Sequence, residues 1–282
     1  MKEIKIWKAL LIWFLAPFIF IVFLTIILEL LNIKSDLSDT AFAFLVPLSI
    51  LVVLVKFGKI NIALMVERYN DYRHKFNLKE MIEVVITQIL LSIGFSYLST
   101  AFMASIDLEK ALSIANDTTG NPSNLIQLIL FLISIVILAP LLEEIVFRRI
   151  LFVGLSKKFN FFVSAIISSI IFAIGHDIFG IAGAAVFGIA CCLLYRKYEN
   201  ILASMVLHFI NNFIAGVMIS FSYFIGTLNE QTETITNADI KYYFIVGGIV
   251  TAISLILFIR FIVRNINYIK SNKGYINNNN IN

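Results

Sequence analysis

Residues 125–155 read LIQLILFLISIVILAPLLEEIVFRRILFVGL. From Leu125 to Leu142 there is no charge, and such a length of apolar chain reads as a helix that crosses a bilayer. Then come Glu143, Glu144, Arg148 and Arg149, followed by a second apolar stretch to Leu155. The run is therefore one long span interrupted by charge. Ionisable side chains inside a span are expensive and mark function by default. Pro140, just before the glutamates, predicts a kink.

The rest of the chain has the same character. It has 282 residues, 60% of them hydrophobic and 14% charged. A soluble domain runs at about 45–50% apolar and about 25% charged. A soluble enzyme, a nucleic-acid-binding module and a disordered chain are thereby excluded. The apolar runs are continuous and do not alternate, which argues against an outer-membrane barrel. Besides 125–155, seven runs stand out: 9–31, 41–55, 82–106, 161–175, 178–195, 201–223 and 242–261. The expected fold is all-α, a polytopic membrane protein of about eight transmembrane helices. The first run is too long for a cleaved signal peptide and lacks a small-residue cleavage site. Residues 1–270 read as a single transmembrane domain, and the Asn-rich tail 271–282 reads as disordered.

Cations set the orientation. With the N-terminus inside and the spans alternating, 19 Lys and Arg fall in inner segments and three (Lys34, Lys110 and Lys241) in outer ones. Cytoplasmic loops carry the excess of Lys and Arg, so both termini are expected in the cytoplasm. Cys191 and Cys192, the only cysteines, are sequence neighbours and cannot form an ordinary structural disulfide. Gly180, Ala184 and Gly188 read as close helix packing.

Buried polarity concentrates in three spans. They carry Glu143, Glu144 and Arg148; Phe172 and His176, with Asp177 at the outer mouth; and His208, Asn211 and Asn212. Counted from Lys157, Asn160 and Glu199 at the inner interface, Glu143 is about 21 Å deep and His176 about 24 Å. His208 is about 14 Å deep and Asn212 about 20 Å. These groups fall within one layer of the membrane. Glu144 and Arg148 are four residues apart, share a helix face and can pair. Glu143 points about 100° away and has no partner in its own span. Arg149 reads as a snorkelling residue, and His74 as a solvated loop residue.

Three motifs appear in order: Glu143-Glu144-Ile-Val-Phe-Arg148, Phe172-Ala-Ile-Gly-His176, and His208-Phe-Ile-Asn-Asn212. The region 124–220 that holds them resembles the CAAX protease and bacteriocin-processing family, intramembrane peptidases that include the type II CAAX prenyl endopeptidases. The resemblance implies hydrolysis of a peptide or small membrane-protein substrate inside the bilayer. Glu143 and His176 would activate a water, and His208 and Asn212 would stabilise the oxyanion. Glu144 and Arg148 would form a structural ion pair. The chemistry is coherent: a glutamate can serve as general base and then acid, and imidazole and amide donors can face a developing negative charge.

No cofactor is expected. Zinc on Glu143, His176 and His208 is the alternative, since three such ligands leave an open fourth position. The His-Glu-x-x-His zinc signature is absent, and so is a Gly-x-Ser-x-Gly elbow. A non-proteolytic membrane-binding or bacteriocin-immunity protein is the rival class, and a proton-coupled transporter is a second. The expected partners are the substrate and the lipid bilayer, with no nucleic acid. Ile-, Lys- and Asn-rich usage hints at an AT-rich genome, so a multi-pass protein of a bacterial cell membrane is expected.

Overall fold

The computed structural model describes residues 6–31, 44–53, 62–118, 120–230 and 234–273. Among the described residues ten helices follow in order: α1 (Ile6–Leu30), α2 (Phe44–Val53), α3 (Ile62–Arg73), α4 (Leu78–Ile106) and α5 (Leu108–Ala115). After these come α6 (Leu125–Ser156), α7 (Phe161–Ala173), α8 (Ile181–Tyr198), α9 (Ile201–Phe224) and α10 (Asn237–Lys273). There is no strand among the described residues. The chain is an all-α, multi-pass integral membrane protein.

The eight apolar runs divide unequally. Among the described residues, six helices (α1, α4, α6, α8, α9 and α10) are long and apolar enough to cross a membrane, while α2 and α7 are shorter. The helix in α7 ends at Ala173, and residues 174–180 form a turn before α8 begins. Its 13 residues fall short of the roughly 20 that a bilayer core asks of a straight helix. His176 therefore lies beyond the helix end. The tail also departs from expectation, because α10 continues through Lys273. The disorder expected for 274–282 lies outside the described residues, as do Lys2, Lys5, Lys34, Lys56 and Lys59.

Helix starts follow from local chemistry. Asn77, Asn124, Asn160 and Asn200 each accept a main-chain N–H of the first turn of α4, α6, α7 and α9. These side chains satisfy donors that a helix start leaves orphaned. Packing relies on small residues where backbones approach. Gly94 of α4 and Gly247 of α10 face each other, and a Cβ on Gly247 would sit 2.8 Å from Tyr97 Cβ and 3.1 Å from Gly94 O. At α8, a Cβ on Gly188 would meet Ser169 of α7 at 2.7 Å. Gly188 thus serves helix packing as expected, whereas Gly180 faces Asp177 in its own turn.

Near the ends of α4, α8 and α10 that carry the expected cytoplasmic cations, a polar clamp joins the three helices. Buried Glu80 accepts from Lys197 Nζ at 2.5 Å and from the Tyr198 hydroxyl at 2.5 Å. Arg264 donates to Glu83 at 2.8 Å. The apolar core lies between α6, α7, α8 and α9, around Leu142, Phe147, Phe172, Phe187 and Leu207. Trp13 of α1 packs edge-to-face on Phe147.

The helix α6 is irregular, and this positions the site. Residues Ser134–Leu138 and Glu144–Phe152 are π-helical. The Ala139 N–H bonds Ser134 O and the Val153 N–H bonds Arg148 O, each five residues back. Pro140 has no N–H and its ring crowds the carbonyl four residues earlier, which a wider turn relieves. Neighbouring helices supply donors to both segments. Asn212 Nδ2 of α9 donates to Ile135 O at 2.8 Å, and Ser168 Oγ of α7 donates to Phe147 O at 2.7 Å.

Candidate active site

The structure brings His208 between both glutamates. Its ring is almost fully buried. Nδ1 lies 3.0 Å from Glu144 Oε1, and Nε2 lies 3.6 Å from Glu143 Oε2. A carboxylate only accepts, so the Glu144 contact places a proton on Nδ1 and turns Nε2 toward Glu143. The two glutamates differ in access: Glu144 is sealed, while the Glu143 side chain keeps 20% exposure. Glu143 is the carboxylate that the protein leaves partly uncovered.

Glu144 and Arg148 pair as their spacing requires, with Arg148 Nε 3.2 Å from Glu144 Oε2 and both side chains fully buried. The guanidinium lies 4.5 Å from the centre of the Phe172 ring. Cation–π contact of this kind gains strength when desolvated. Arg148 is also the largest fully buried side chain among the described residues. The pair is more than a structural bridge, since the other oxygen of Glu144 holds the His208 ring. That second partner lies 64 residues away in sequence, beyond the reach of any spacing rule within one helix.

Phe172 is the other residue whose role the sequence does not reveal. Its ring contacts Phe147 at 5.3 Å, His176 at 4.7 Å and His208 at 5.9 Å between centroids. With Arg148 on it as well, one aromatic ring touches three of the polar candidates. The four-residue step from Phe172 to His176 is the available signal, because residues four apart share a face. His176 itself is exposed, just past the end of α7. Its contact in the site is the Phe172 ring, and no direct contact joins it to Glu143 among the described residues.

Asn212 is half-buried, and its placement adds a task to the expected one. One amide hydrogen goes to Ile135 O and its oxygen accepts from Asn211 Nδ2 at 3.2 Å. The second amide hydrogen remains for another acceptor. Arg149 is exposed and donates to the Tyr195 hydroxyl at 3.2 Å. Asp177 Oδ1 accepts from the Phe179 and Gly180 N–H groups at the start of α8. Cys191 and Cys192 are buried thiols.

Zinc would need three converging ligands. Among the described residues, no group of three His, Cys, Asp or Glu side chains is arranged to hold a metal ion. Glu143 and His208 face each other, and His176 does not join them.

A multi-pass membrane protein with a buried His–Glu–Arg cluster built on α6, α7 and α9 is the class that fold and site define. Residues 125–214, which contain all three motifs, match the profile of the family described as type II CAAX prenyl endopeptidase Rce1-like. A stretch of 83 residues is 36% identical to the Bacillus subtilis (strain 168) protein named "Putative membrane peptidase YdiL". That stretch is 29% of this chain and 34% of the relative, so the chain spans about a third of the length of the curated relative it matches. No solved structure matches. The likeness to that family is carried by the segment that holds all three motifs.

Proposed function

We propose that the chain is an intramembrane endopeptidase that cleaves a peptide or small membrane-protein substrate without a metal. The observation that carries this proposal is His208, gripped at Nδ1 by Glu144 and presenting Nε2 toward the accessible Glu143. Glu143 removes a proton from a water while the water oxygen bonds to the scissile carbonyl carbon, as a general base does. His176 is the second group on that water. The carbonyl oxygen becomes an oxyanion. As the C–N bond breaks, Glu143 returns the proton to the leaving nitrogen, giving a carboxyl end and an amine end.

The oxyanion needs donors fixed in advance. His208 donates from Nε2 only when that nitrogen is protonated, and with Nδ1 already protonated the ring is then an imidazolium. Glu144 balances this charge and fixes the ring, the role a buried carboxylate plays beside a catalytic histidine. Arg148 in turn holds Glu144. Asn212 offers the amide hydrogen that Ile135 does not take.

The test is a comparison of membrane peptidomes from cells expressing wild type and Glu143→Gln, which keeps size and polarity but removes the base. Peptides present with wild type should fall roughly a hundredfold or more with the variant, the usual worth of a general base. Identical peptidomes, with both proteins inserted and folded, would overturn the assignment in favour of a membrane-binding or immunity protein.

A further inference from the structure

Away from the site, a cavity of about 520 Å³ opens between α3, the turn into α4, the end of α8 and α10. The volume lies inside the range of roughly 300–1,000 Å³ common to small-ligand pockets. It belongs to the face that the cation bias assigns to the cytoplasm. Its walls carry both signs of charge: Arg68, Lys75 and Lys197 against Asp71 and Glu199.

Lys197 is a fixed cation. Its Nζ is held by Glu80 and lies 4.9 Å from the centre of the Tyr268 ring, which also lines the cavity. Asp71 pairs with Lys75 at 2.8 Å, but both side chains are about half exposed, and an exposed pair of this kind yields readily to a ligand. Phe76 and Leu78, on the turn beside the cavity, are 39% and 57% exposed. Apolar side chains next to a charged cavity at the inner interface suit a molecule with a polar head and an apolar body. Basic pockets between helices on the cytoplasmic side take lipid headgroups, and this cavity adds carboxylates to its cations. A plain anion would leave Asp71 facing it with like charge.

We propose that this cavity holds the phosphoethanolamine headgroup of a phospholipid, with the phosphate on Arg68 and Lys197 and the primary ammonium on Asp71. A primary ammonium brings three N–H donors to that carboxylate. A choline headgroup has the same charge and no donors, so the pair separates hydrogen bonding from charge.

The experiment titrates the purified full-length chain with dioleoyl phosphatidylethanolamine, phosphatidylcholine and phosphatidylglycerol, and with soluble glycerophosphoethanolamine, reading occupancy by native mass spectrometry. The ethanolamine lipid should bind at least about tenfold more tightly than the choline lipid, a step of one decade in Kd. Arg68→Gln combined with Asp71→Asn should erase that preference, and the variant should still fold because both side chains are exposed. Asp71→Asn alone, should the pair misfold, is expected to lower the preference in the same direction. Phosphatidylglycerol binding as tightly as the ethanolamine lipid would overturn the proposal and mark a simple anion site. Soluble glycerophosphoethanolamine matching the lipid would overturn it in favour of a water-soluble ligand, and unchanged binding by the variants would remove the cavity from consideration.

Discussion

Removing Arg148 while keeping its volume separates what holds the site together from what reacts in it. Arg148→Met leaves an apolar stem in place of a guanidinium that is fully buried, 3.2 Å from Glu144 and 4.5 Å from the centre of the Phe172 ring. Glu144, also fully buried, then keeps its charge beside His208 with its guanidinium partner gone. Breaking one side of a buried pair costs about 3–5 kcal/mol, and a desolvated cation–π contact adds roughly 2 kcal/mol. Replacing both charges with groups of similar shape is often neutral or stabilising. Glu144→Gln combined with Arg148→Met should therefore recover most of the single variant's loss. The assay is melting of the detergent-solubilised protein by intrinsic fluorescence, with the monodisperse fraction after size exclusion. Activity should behave differently, because the neutral amide that replaces the Glu144 carboxylate no longer balances an imidazolium at His208. The double variant is expected to melt near wild type and to remain inactive. An Arg148→Met variant that melts like wild type would falsify the claim that the pair carries structural energy. Recovery of activity alongside stability would show that Glu144 acts only through folding.

His176→Ala should lower cleavage about as much as Glu143→Gln while leaving the melting temperature nearly unchanged, since the ring is exposed beyond the end of α7; a large loss of stability with activity intact would contradict this. Asn212→Ala should cost about 2.7–4 kcal/mol of transition-state stabilisation, the size seen when one oxyanion donor is lost. It should also cost about 1–3 kcal/mol of stability, because Ile135 O loses its donor. A purely thermal effect, with turnover per folded molecule preserved, would leave Asn212 as a packing residue. Metal analysis of purified, active protein should find far less than one zinc per chain, and zinc that leaves and returns together with activity would instead make Glu143, His176 and His208 its ligands.

The outlines of this protein are legible in its sequence because each depends on a local rule. Apolar length marks the helices, and α6 begins at the residue where its run begins. Four-residue spacing marks Glu144–Arg148. What the sequence withholds is set by how helices lie against one another. Counting an α-helical rise from the inner interface puts Glu143 about 7 Å deeper than His208, yet the two side chains meet at 3.6 Å. The count assumes straight α-helix, whereas nine of the residues between Glu143 and the inner interface, Glu144–Phe152, are π-helical. A wider turn uses more residues for a similar climb, so Glu143 sits shallower than its number suggests. Pro140 announces a break but not its form. His176 is displaced for a different reason, since α7 stops at Ala173 and the turn carries the imidazole out of the helix.

The irregular helix also explains why these residues occur together. A straight α-helix keeps its carbonyls within its own ladder and offers little to neighbours in a medium where every polar group needs a partner. The π segments of α6 present Ile135 O to Asn212 and Phe147 O to Ser168, so α9 and α7 are bonded to the helix that carries both glutamates. Those bonds fix the helix that brings His208 to Glu143 and the helix that brings Phe172 over Arg148. One amide hydrogen of Asn212 thus ties α9 to α6, and under the proposed mechanism the other faces the oxyanion. A site assembled this way ties the placing of His208 and Asn212 to the packing of the helices. Weakening the Ile135 bond alone should then move His208 relative to Glu143 before it unfolds the protein.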